Sequence, residues 1–245
     1  MELLDGPLTL NYIHRFLGYG TLQGSCWFIG MEEGGGRDIE VVSKRLAAWQ
    51  RLDRPQLTDL KDLHIEIGMD RFFSGRVRLQ RTWASLIRLQ LAIQGLPTTL
   101  AEVREYQATN WGRSFSDHCL LELLPLPSPS TRDWNYSTWS GLPELISREA
   151  YLNAFCKERV FALEAAVSQH QPACVVFYGL AFRRFWESIA GVAFAADAEH
   201  GFLTAVNSHT TFAIVKHPAS RDVTSQYFVN AGLSLASVQS HDRSK

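Results

Sequence analysis

Cys26-Trp27-Phe28-Ile29-Gly30-Met31-Glu32-Glu33-Gly34-Gly35-Gly36 is the stretch from which the fold is read. An apolar run ends in a glycine, two carboxylates and three more glycines. A buried strand that stops this way delivers polar groups to the carboxyl edge of a sheet, where open α/β folds place their ligand sites. Three successive glycines carry an entropic cost, so their presence implies that something approaches the backbone closely.

Outward from this strand the chain alternates. A helix is expected over Ile39–Leu52, with a polar break at Asp53 to Gln56. Gln80–Gln94 is a second helix, with Trp83, Leu86, Ile87 and Ile93 at helical spacing; Gly95-Leu96-Pro97 stops it, and another helix starts near Thr99. Trp83 reads as packing on that stripe. Cys119–Leu124 is a continuous apolar strand interrupted only by Glu122, and it is expected to end at Pro125 because proline has no ladder donor. In the loop that follows, Trp134, Tyr136 and Trp139 are expected to be exposed and to meet a ligand or a nucleic-acid strand. Arg148–Gln169 is the longest helix. Cys174–Gly179, a helix from about Ala181, a last strand over Thr210–Val215 and a helix over Val223–Ala236 complete the pattern.

Strands alternating with helices imply right-handed crossovers and a sheet covered on both faces. The expected fold is α/β, a three-layer αβα sandwich around a central, mainly parallel four-stranded sheet. One domain is expected over residues 1–236, with a disordered tail over 237–245.

The 245 residues suffice for a large core, and 46% hydrophobic with 20% charged residues describes a folded chain. No apolar run reaches the roughly 18 residues that span a bilayer. The start, Met1-Glu2-Leu3-Leu4-Asp5, lacks the basic region of a signal peptide, so a cytoplasmic location without a membrane partner is expected. A net charge of −1 gives no general attraction to nucleic acid, although Arg71, Arg76, Arg78, Arg81 and Arg88 gather in one interval that reads as a solvated helix face. Cys26, Cys119, Cys156 and Cys174 form no Cys-x-x-Cys pair and read as buried free thiols; neither they nor the scattered histidines form a metal site.

The four main strands end in Gly30-Met31-Glu32-Glu33, Pro125 to Ser130, Tyr178-Gly179 and Lys216-His217-Pro218-Ala219-Ser220. In a parallel sheet these ends converge on one rim, where carboxylates, a histidine and backbone amides share a cleft. Gly30-Met31-Glu32-Glu33-Gly34 resembles the first motif of the uracil-DNA glycosylase superfamily, a strand-ending Gly-x-x-Pro-Gly. His217-Pro218-Ala219-Ser220 is similar to its second motif, His-Pro-Ser or His-Pro-Ala. Phe73-Ser74-Gly75 resembles the Phe-x-Gly segment whose ring stacks on the extruded base, and Tyr178-Gly179 matches a strand-ending glycine between them. The matches keep the family's order from about Cys26 to Gly232.

The resemblance implies a protein that pulls a nucleobase from DNA into a pocket and hydrolyses its N-glycosidic bond, as in base excision repair. Glu32 would assist the sugar cation and orient water, and His217 would donate to the departing base. Gly30, Met31, Glu33, Phe73, Glu122 and Ser220 would contact the base. The amides of Gly34, Gly35 and Gly36, together with Arg221, would hold the DNA backbone. The implied partner is single- or double-stranded DNA, or a small nucleobase ligand, and no metal or redox cofactor is implied. Glu33 stands where the family has proline, and Glu32 where active branches have Asp or Asn.

Glu122 falls where these enzymes often carry a base-reading asparagine. An ionised glutamate only accepts, which favours an edge presenting donors; a raised pKa beside Glu32 and Glu33 makes it a donor as well. Alternatively, Glu122 pairs with a buried arginine such as Arg132. Two other readings stay open: a non-catalytic nucleic-acid-binding member of the fold, and a hydrolase of free nucleosides or nucleotides.

Overall fold

The computed structural model describes residues 3–130, 132–196 and 201–242. Its first half runs α1 (Gly6–Arg15), β1 (Gly18–Gly20), β2 (Cys26–Gly34), α2 (Ile39–Arg51), β3 (Leu57–Thr58), α3 (Leu60–Glu66), α4 (Arg81–Ile93) and α5 (Leu100–Thr109). The second runs β4 (His118–Ser128), α6 (Tyr136–Trp139), α7 (Arg148–His170), β5 (Cys174–Tyr178), α8 (Arg183–Ala190), β6 (Ala195–Ala196), β7 (Leu203–Val206), β8 (Thr211–Val215) and α9 (Ser225–Asp242). The chain is α/β. The last helix continues past Ser237, where the sequence suggested an irregular tail, and 243–245 lie outside the described residues.

The sheet corrects the four-stranded expectation. It has eight strands and is mixed, in the order β3-β1-β4-β2-β5-β8-β7-β6. Its middle four strands, β4-β2-β5-β8, pair in parallel. Short strands extend both sides: β1 runs antiparallel to β4, and β7 antiparallel to β8. These additions were hidden because two- to four-residue strands carry too few positions for an alternation signal.

Side chains of successive strand residues point to opposite faces. Trp27 accordingly packs on His170 at the end of α7 (ring centroids 5.8 Å apart), while Phe28 packs on Trp111 beyond α5 (5.2 Å). Helix α7 lies with α1 and α8, and α4 lies with α5 and α9. The two groups are the outer layers. Ser147 caps α7 by accepting from the Ala150 amide (3.0 Å), and Gln80 caps α4 by accepting from Trp83 (2.7 Å). All four cysteines are buried and free.

A second correction concerns β4, which does not stop at Pro125. It is buried throughout and continues to Ser128. The ladder tolerates both prolines because the register shifts there. Glu32 pairs with Leu124 and Gly34 with Ser128, so two steps of β2 oppose four of β4. Proline is accommodated at such a bulge, where a donor is not required. The extra length carries the end of β4 to the site.

Candidate functional site

The four parallel strands lie in the spatial order second, first, third, fourth. The chain therefore leaves β2 for β4 on one side and returns to β5 on the other. A crevice opens beyond the carboxyl ends at such a switch point. Here it is a cavity of about 890 Å³, within the range of small-molecule sites. Met31 to Gly36 from β2, Glu122 and Pro127 to Ser130 from β4, Tyr178 to Phe182 after β5, and Lys216, His217 and Ser220 after β8 line it. Met69, Phe72 and Trp83 close one side.

Glu32 extends from the strand end with its side chain 6% exposed, and Arg148 of α7 donates to its Oε2 at 2.6 Å. Burial raises its pKa, with Arg148 opposing. The Arg148 guanidinium lies over the Trp134 ring, 5.7 Å from its centroid. Glu33 turns into a different network. Arg45 donates to both its oxygens (2.8 and 3.1 Å), and the Tyr19 hydroxyl donates at 2.6 Å. Burial works against ionisation, but Arg45, His64 and Tyr19 prevail and hold Glu33 below the usual carboxyl range. His64 Nδ1 bonds the Leu60 carbonyl (2.8 Å), while Nε2 lies 3.7 Å from Glu33 Oε1. Burial pushes His64 down to about 4, so it is neutral near pH 7.

Glu122 accepts from the Tyr178 hydroxyl at 3.0 Å through Oε1. Arg132 is exposed and is not its partner. The buried arginine beside it is Arg159, which donates to the main-chain carbonyls of Glu122 (2.8 Å) and Leu123 (2.9 Å). Gly30 makes this arrangement possible: a Cβ there would sit 2.1 Å from the Tyr178 hydroxyl and 2.6 Å from Glu122 Oε2. His217 is half-buried, and its Nδ1 accepts from the Ala219 amide (3.1 Å), leaving the proton of the neutral ring on Nε2. Burial lowers its pKa, which favours that neutral form.

Of the residues singled out from sequence, Gly30 stands beneath Tyr178 and Glu122, and Met31, Glu32, Glu33, Glu122, His217 and Ser220 line one cavity. Phe73 does not join them. It is 4% exposed and belongs to the core, whereas the half-buried Phe72 and Trp83 face the cavity. The 3₁₀ turn Asp70–Phe72 directs Phe72 rather than Phe73 toward the opening. The stripe position of Trp83 looked like packing alone, yet a large ring at a helix start can do both.

Gly34, Gly35 and Gly36 also line the cavity, but part of their close approach is internal. The Gly35 amide donates to Ser128 (3.3 Å), and a Cβ on Gly36 (φ +62°) would meet the Pro127 oxygen at 2.0 Å. Arg221 is exposed on the rim, between Ser220 and Asp222, which line the cavity.

The loop aromatics expected at the ligand are structural. Tyr136 is buried and donates to the Pro127 carbonyl (2.9 Å), Trp139 is buried, and Trp134 stacks on Tyr151 (4.9 Å). None of the three lines the cavity. The arginine cluster is not one helix face either: Arg71, Arg76 and Arg78 precede α4, and only Arg81 and Arg88 lie on it. Sequence reasoning missed Arg45, Arg148 and His64. Arg45 left a signal, a cation three residues after Val42 on the apolar stripe of α2, which continues to Trp49.

Among the described residues, no group of three or more His, Cys, Asp or Glu side chains is arranged to hold a metal ion, and no helix is long and apolar enough to cross a membrane. Fold and cavity together define an open α/β protein with a polar site at the carboxyl edge of its parallel strands. No protein-family model and no curated protein matches the chain.

Proposed function

We propose that this is a uracil-DNA glycosylase-like protein that takes a nucleobase extruded from DNA into the cavity and hydrolyses its N-glycosidic bond. One observation carries the reading: Glu32 near the end of β2, Glu122 within β4 and His217 just after β8, far apart in sequence, line one cavity beside the rings of Phe72, Trp83 and Phe182. Aromatic faces suit a flipped base, and the polar groups suit its edge. As the bond breaks, positive charge grows on the sugar and negative charge on the base. The Glu32 carboxylate stabilises the first and orients water, and His217 Nε2–H donates to the second. Exposed Arg71 beside the cavity and Arg221 on its rim contact phosphates.

The Arg148–Glu32 ion pair favours a second reading, a binding protein without hydrolysis, because Glu32 already has a cation. The test is alkali-revealed strand scission on single- and double-stranded oligonucleotides carrying a panel of damaged bases, with Glu32→Gln and His217→Ala as controls. Product that disappears in both variants supports hydrolysis. Base-dependent binding without product supports the second reading, and neither binding nor product overturns both.

A further inference from the structure

Four carboxyl groups line this cavity, and among the described residues three have a cation, Asp222 at the rim having Lys216. Arg148 takes Glu32 and Arg45 takes Glu33. Glu122 is 8% exposed and forms no ion pair among the described residues. Arg159 touches it only at the main chain. Its Oε1 accepts from Tyr178, whereas its Oε2 is buried without a hydrogen-bond partner at the wall of the cavity.

An unpartnered carboxylate oxygen in such a place is far costlier than a neutral acid, and nearby like charge adds to the cost. The groups facing Glu122 give the balance. Glu33 and Glu32 on β2 oppose its ionisation, while Tyr178 on β5 and Arg159 on α7 favour it. From α2, Arg45 is engaged by Glu33; beyond β8, His217 is neutral and Lys216 is paired with Asp222 (2.6 Å). Burial and the two carboxylates prevail, pushing the Glu122 carboxyl well above its ordinary range.

We propose that Glu122 faces the cavity as a neutral carboxylic acid whose Oε2–H donates a hydrogen bond to an acceptor atom of the bound base, so that recognition fails when this proton leaves. The identity of the ligand rests on the nucleobase reading; the protonation state does not. The site then selects an edge that sets a carbonyl oxygen or an unprotonated ring nitrogen against Oε2. An edge placing N–H there would oppose two donors.

Two measurements on the full chain separate these parts. The first is the infrared difference between wild type and Glu122→Gln at neutral pH. The carbonyl band of a protonated carboxylic acid is expected in wild type and not in the variant; its absence from wild type overturns the proposal. The second is calorimetric titration with free uracil, cytosine, guanine and hypoxanthine from mildly acidic to alkaline pH.

Wild-type affinity is expected to fall about tenfold per pH unit above the folded pKa of Glu122. Glu122→Gln supplies an N–H donor at every pH, so it binds within about tenfold of wild type in acid and shows no alkaline loss. Tyr178→Phe removes a donor that favours the ionised form, which moves the loss to higher pH. Affinity that is flat or rises with pH in wild type overturns the donor contact. An acid band with no base bound at any pH overturns the nucleobase reading and upholds the neutral acid.

Discussion

Arg45→Met isolates the most buried electrostatic element of the site. Arg45 is 4% exposed and makes two hydrogen bonds to Glu33 and one to the Tyr19 hydroxyl. Methionine fills much of the volume of its stem but leaves the Glu33 carboxylate with one donor, Tyr19, in a pocket where its side chain is 13% exposed. Removing one partner of a buried pair costs about 3–5 kcal/mol, and the surviving Tyr19 bond puts this case at the lower end, about 3 kcal/mol. With a urea slope of about 2–3 kcal/mol/M, the unfolding midpoint falls by about 1–1.5 M.

The pH dependence gives the sharper test. The folded pKa of Glu33 lies below the ordinary carboxyl value. Its stabilisation is therefore present above that ordinary value and is lost as pH falls through the folded one. In Arg45→Met, burial dominates and the sign reverses, so the variant loses stability as pH rises. The gap between the two proteins is wide at neutral pH and closes in acid. Adding Glu33→Leu to Arg45→Met removes the stranded charge and recovers most of the loss. A loss under about 1 kcal/mol, or a gap that does not change with pH, would refute the account of Glu33 as an ionised buried partner.

Gly30→Ala forces a methyl group to within 2.1 Å of the Tyr178 hydroxyl. It is expected to cost about 1–3 kcal/mol in urea unfolding and to separate Tyr178 from Glu122; unchanged stability would show that the strand ends yield freely. Phe73→Ala, a core truncation, should lose about 3–5 kcal/mol of stability, while Trp83→Leu should lose less and mainly weaken base binding in calorimetry. The reverse ranking would return Phe73 to the ligand. Arg148→Met removes the cation that restrains the pKa of Glu32, which then climbs further above the ordinary value. Strand scission that needs ionised Glu32 should shift to higher pH, and an unmoved pH profile would remove Glu32 from that role.

The sequence by itself determined the four parallel strands, most of the helices between them and the edge on which their polar ends meet. Those features rest on local signals: an apolar run of strand length, a helical stripe, and a proline or glycine that ends it. Even Glu122 was visible as the lone charge in a buried strand. Tertiary structure decided which charges are spent. Glu32 and Glu33 are neighbours in sequence, yet one is claimed by Arg148 of α7 and the other by Arg45 of α2, 116 and 12 residues away. It also decided that β4 passes through two prolines, that Phe72 and Trp83 rather than Phe73 face the cavity, and that Trp134, Tyr136 and Trp139 are packed. Each of these outcomes depends on a partner brought close by the sheet, and no local pattern of residue types encodes that proximity.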